Sequence, residues 1–103
     1  MLPSRFRQFV VPWFFAGVDP PLIAEATNAP LRVHVRNIGP NALIISDVIN
    51  DLSNPGGPTG AVVRLPAGER DVWYLAPKQK LYALAAGPGG LASVGISDEL
   101  FGA

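Results

Sequence analysis

The sequence predicts an all-β fold: a single antiparallel β-sandwich or small barrel of about six to seven short strands, with an N-terminal arm rich in proline and aromatic residues. Three observations carry this. Eleven glycines and eleven prolines break the 103 residues into stretches too short for ordinary helices. Between those breaks, strand-like runs recur at about ten-residue spacing, as in small sandwiches. Apolar residues make up 49% of the chain and charged ones 16%, a composition that builds a core in a chain the size of one domain.

Residues 1–30 read as an extended arm that can supply a first edge strand, and residues 31–103 as the sandwich core domain. Within the arm, FVVPWFFAG from Phe9 to Gly17 is the most apolar run, and Pro12 in its middle bars both a helix interior and a central strand. It suits an edge strand bent at Pro12 or a docking arm equally. Between Pro21 and Thr27, LIAEAT leaves a short helix open.

The core domain opens with PLRVHVRN, whose period of two sets Leu31, Val33 and Val35 against Arg32, His34 and Arg36, the pattern of a half-buried strand. IGPNA turns the chain into ALIISDVI, a second strand of aliphatic and β-branched residues. Residues 50–60, NDLSNPGGPTG, are turn formers and read as a loop. AVVRL, a PAGE turn and RDVWYLAP add two strands, the latter with Val72 and Tyr74 on one face and Trp73 and Leu75 on the other. KLYALAAG follows, Leu81 and Ala83 facing away from Tyr82 and Leu84. GPGG then turns into ASVGIS, where Val94 and Ile96 share a face. The terminal SDELFGA leaves one helical turn open, with Ser97 as its cap.

Lys plus Arg and Asp plus Glu balance at eight each, so no net charge draws the chain to nucleic acid or an acidic membrane, and direct nucleic-acid contact is not expected. Few charges also favour self-association. Cysteine is absent, which removes disulfides, thiolate metal sites and cysteine nucleophiles. The N-terminal apolar run is too short to span a bilayer and lacks a small-x-small cleavage site, so neither a membrane span nor a signal peptide is expected.

His34 is the only histidine and the first candidate for acid–base work. Arg32 and Arg36 flank it on one strand face, oppose its protonation and offer no carboxylate to orient it, so an outward polar residue is the simpler reading. With Arg5 and Arg7, these arginines can line a basic face for phosphates or carboxylates, but without the aromatic interleaving of single-strand nucleic-acid binders. The carboxylate pairs Asp47 with Asp51, Glu69 with Asp71 and Asp98 with Glu99 imply no cleft. The run Asp47 to Asn54 misses calcium-loop spacing, and GPGG lacks the lysine and helix of a phosphate cradle. No catalytic, cofactor or metal site is therefore expected, and the chain reads as non-enzymatic. Trp13, Trp73, Tyr74 and Tyr82 supply an alternative of another class, a carbohydrate-binding platform on the sandwich.

VRNIGPNALII, VRLPAGERDVWYL, KLYALAAG and ASVGIS carry a resemblance. Through Arg36, Asn37 and Gly39, through Leu65, Ala67, Gly68 and Glu69, and through Lys80 to Ala83, the chain resembles the small β-sandwich virion structural proteins of tailed bacteriophages over residues 31 to 97. The resemblance implies a capsid-decoration or cement subunit that binds the outer capsid surface and stabilises the shell, with a head–tail junction or minor tail protein as the alternative. It implies the virion as location, assembled in the host cytoplasm, with the major capsid protein or other virion subunits as partners. A homo-oligomer, a trimer first, goes with that role.

Phe6, Phe9, Trp13, Phe14 and Phe15, five of the seven Phe and Trp side chains, fall in the arm. Aromatics dominate interface hot spots, and prolines stiffen an extended segment so that docking costs less entropy. Together with Arg5, Arg7, Arg32 and Arg36 they form the expected partner interface.

Overall fold

The computed structural model describes residues 5–13, 18–49, 52 and 62–98. Among these residues lie eight strands: β1 Arg5–Val11, β2 Leu22–Glu25, β3 Leu31–Asn37, β4 Leu43–Ser46, β5 Val63–Leu65, β6 Arg70–Leu75, β7 Lys80–Ala85 and β8 Gly90–Asp98. They make two four-stranded antiparallel sheets, in the orders β1-β8-β3-β6 and β2-β7-β4-β5. The chain changes sheet at every connection except β4 to β5, which gives the jelly-roll form of the β-sandwich. The all-β sandwich expected from the sequence is present, with eight strands where six or seven were counted.

The added strands lie ahead of residue 31, and each supplies the edge of one sheet. β1 runs antiparallel to β8 in unbroken register from Arg5 opposite Ile96 to Val11 opposite Gly90. Pro12 ends it, having no N–H to continue the ladder. Its carbonyl instead accepts from the Ala85 amide at 2.9 Å, and Trp13 bridges to Ala85, so the chain crosses to the second sheet at the proline. The helix left open within LIAEAT is a strand instead: four residues are too few to nucleate a helix, and a bulge between Leu22 and Ala24 lets consecutive Ile23 and Ala24 both be buried.

The core lies between the sheets. Val33, Val35 and Val94 of the first sheet meet Leu43, Ile45, Leu81 and Ala83 of the second, all essentially excluded from water. A second apolar layer covers the far face of the second sheet, where Val18 and Leu52 pack on Ile44 and Leu84 with Val62 and Tyr82 beside them. Burial on both faces explains why β4 reads as an unbroken apolar run and not as an alternating one. The first sheet has no such cover among the described residues, and its outer face meets solvent.

The motif residues Asn37 and Gly68 act in folding. Asn37 is fully buried, donating from Nδ2 to the Asn41 carbonyl at 2.7 Å and the Leu65 carbonyl at 3.0 Å, while its Oδ1 accepts from the Gly39 amide. Its backbone bonds Glu69 and Gly68, so this one residue clamps the β3–β4 turn to the turn that carries the chain from β5 across to β6. The β5–β6 connection turns at Pro66–Glu69, where the Glu69 amide bonds the Pro66 carbonyl and Gly68 takes a φ of 82°, as the third residue of a type II turn requires.

Candidate functional site

The outer face of the first sheet is laid out in rows across its strands. One row runs Phe6, Gly95, His34, Val72; the next runs Gln8, Ser93, Arg36, Arg70. Arg32 and Tyr74 form part of a third, with the guanidinium 5.7 Å from the ring centre. Period-two alternation puts these side chains outward because Val33 and Val35 must point into the core. The rows enclose an open groove of about 760 Å³, lined chiefly by Phe6, His34, Arg36, Arg70, Val72 and Ser93.

Gly95 shapes one wall. A Cβ there would lie 2.6 Å from Cε2 of Phe6, so the ring rests directly on the glycine backbone beside His34. Phe6 stays 57% exposed and offers its other surface to the groove.

The outward row beside His34 is positive, with Asp71 also on the lining of the groove. Arg36 stands directly opposite Arg70, an arrangement that destabilises a sheet by itself. Neither has a carboxylate within ion-pair distance among the described residues, where the ion pair seen joins Lys80 to Glu25 on the other sheet. Asp71 turns its Oδ1 to the Val72 amide at 2.9 Å. His34 is half-buried, and its Nε2 is shielded from water with no hydrogen-bond partner among the described residues. Burial first, and then positive charges led by Arg32 and including Arg70, hold its pKa below the ordinary value of 6.5. The ring is therefore neutral near pH 7, and a bound anion would offset the positive charges among those causes.

Of the residues expected at a partner interface, the fold brings Phe6, Arg32 and Arg36 to this one face. Arg7 and Phe9 sit on the opposite side of β1, the guanidinium 5.3 Å from the ring, beside a smaller cleft between the sheets shared with Ile23 and Glu25. Arg7 therefore does not extend the basic face. Trp13 lies at the crossover between sheets, 54% exposed. Phe14, Phe15 and the Arg5 side chain lie outside the described residues. Arg70, Ser93 and Gly95 join the site from strands whose register the sequence does not specify.

The aromatic platform does not assemble. Trp73 faces inward opposite Val33 and packs on the core, and Tyr82 packs on the outer layer of the second sheet; Tyr74 stands on the outer face of the first. Among the described residues no group of three or more His, Cys, Asp or Glu could hold a metal ion.

No family model and no curated protein matches the chain. Among solved structures it is similar to the TDP-quinovose 3,4-ketoisomerase WlaRB from Campylobacter jejuni, with 14% identity and a TM-score of 0.49. The alignment covers 92% of this chain and 62% of that one, so the chain spans less than two thirds of the enzyme's length. This corrects the functional expectation. A structure that the chain resembles is an enzyme, and with that finding the capsid-decoration reading, its head–tail alternative and the reading as a non-enzyme are set aside. A likeness this distant assigns no activity to the chain.

Proposed function

We propose that this chain is a ligand-binding β-sandwich domain whose outer sheet face takes a small anionic ligand, one bearing a phosphate or carboxylate group. The observation that supports the reading is the pairing of Arg36 with Arg70 directly across β3 and β6, with no carboxylate within ion-pair distance of either among the described residues. Two facing guanidiniums repel until an anion lies between them, and each can donate a charge-assisted hydrogen bond to it. His34 adds a donor once it is protonated, and Ser93 lies opposite Arg36 on β8. Phe6 and Val72 supply an apolar flank for the body of the ligand.

The test is a titration of the full chain, followed by backbone NMR, with inorganic phosphate, citrate, glucose 1-phosphate and uncharged glucose. Shifts at His34, Arg36, Val72 and Ser93 with the anions and not with glucose are expected. Charge-assisted bonds contribute about 1.5–3 kcal/mol each, so Arg36→Gln should weaken binding about tenfold or more. Anion shifts that persist unchanged when both arginines are replaced by glutamine would overturn the reading.

A further inference from the structure

We infer that the open edge of β1 is a pairing edge at which a second copy of this chain docks by antiparallel strand addition. The inference stands apart from the ligand reading. The four sheet edges, β1 and β6 of one sheet and β2 and β5 of the other, are protected to different degrees. An exposed edge offers unpaired N–H and C=O groups, which proteins blunt with short strands, bulges, charges or local hydrogen bonds. β5 has only three residues, and β2 has four and is bulged. β6 carries Arg70 and Asp71 and spends an amide on its own Asp71 side chain. β1 has no shortening, no bulge and no proline or carboxylate: it is seven residues long and in unbroken register with β8, and the charges in its sequence are Arg5 and Arg7. Its one described charge, Arg7, is already engaged with Phe9.

The sequence of β1 is complementary to itself in one register. With a two-fold axis at Gln8, Phe6 meets Val10 of the second copy on the outer face, twice. On the other face Arg7 meets Phe9, twice, repeating between copies the cation–π contact made within one. Val10 is 80% exposed and Phe6 57%, so both gain burial. Shifting the axis to Arg7 sets two guanidiniums against each other, and shifting it to Phe9 sets Phe6 against Pro12, which has no N–H to pair. A one-residue slip would put core faces against solvent faces. The product is a two-fold dimer with one continuous eight-stranded sheet.

The chain has no cysteine, so single cysteines report the register directly. Light scattering over a concentration series should give a dimer mass for the full chain. Under mild oxidation Gln8→Cys should cross-link to itself, whereas Phe6→Cys and Val10→Cys should each form no cross-link alone and cross-link when mixed. Tryptophan fluorescence of each variant confirms folding, and all three positions are exposed. A monomer at every concentration with no Gln8→Cys cross-link overturns the proposal, as does preferential cross-linking of Arg7→Cys or Phe9→Cys to itself.

Discussion

The ring of Phe6 lies on the backbone of Gly95, its cross-strand partner, closely enough that a single added methyl at Gly95 would come within 2.6 Å of the ring. An aromatic covering a strand glycine shields backbone that a missing side chain leaves bare. Gly95→Ala should turn the exposed ring outward and cost about 1 kcal/mol of stability, since Phe6 can swing into solvent and the backbone need not move. Urea denaturation with parallel NMR of the Phe6 ring checks this. Unchanged ring shifts would show that the two residues are not in contact.

Replacing Arg70 reverses the usual sign of a surface substitution. Arg70→Glu converts the facing like pair with Arg36 into a cross-strand ion pair and should stabilise the unliganded domain by about 0.2–1 kcal/mol. The same change should abolish anion binding. Thermal melts with and without phosphate separate the two effects. Destabilisation of the free domain would mean that Arg36 and Arg70 do not repel.

His34 makes stability depend on pH in a definite direction. Its folded-state pKa is depressed below the ordinary 6.5, so below that pH the unfolded chain binds the proton more readily than the folded one. Stability should therefore fall as pH drops from about 6.5 through the folded pKa, and His34→Gln should remove that part of the slope. Anion binding should respond oppositely, strengthening as the pH falls over the same window, because a bound anion favours the protonated ring. Among the charged groups that hold the ring's pKa down are Arg32 on its own strand and Arg70 on β6, while Arg36 and Asp71 also line the groove beside it. A stability profile identical in wild type and His34→Gln contradicts the account.

Asn37→Ala should be among the most damaging substitutions in the chain. It removes two donors and an acceptor from a fully buried position and leaves the Leu65 carbonyl without its buried partner, a loss of about 2–4 kcal/mol. Asn37→Asp keeps the bond from Gly39 but loses the donors, and should fall nearly as far. Chemical denaturation gives the values, and a loss under about 1 kcal/mol would show that the clamp is dispensable.

Lys78 holds a φ of 73° in the turn after Pro77, whereas Gly68 fills the equivalent place after Ala67. A side chain there carries strain that glycine does not. Lys78→Gly should gain up to about 1 kcal/mol, offset by the greater freedom glycine has in the unfolded chain. The amide of residue 78 still reaches the Ala26 carbonyl at 2.9 Å, so the turn itself is kept. A lower melting temperature would place the cost of that freedom above the strain.

By itself the sequence determined the all-β class, the faces of β3, β6, β7 and β8, and the turns between them, because period two and the placement of glycine and proline are local properties. Tertiary structure alone decided the rest. LIAEAT became a strand because β7 needed an edge partner and the core needed Ile23, and β4 lost its alternation because Val18 and Leu52 cover its far side. Strand pairing also decided the candidate site. Which outward residue of β6 faces Arg36, and which residue of β8 lies under Phe6, depends on register between strands distant in the chain. The sequence shows Arg32, His34 and Arg36 as one basic row; only the folded sheet sets Arg70 opposite Arg36 and turns Arg7 away from both. The long-range pairing that sets register depends on the fit of whole faces, which no short stretch of sequence contains.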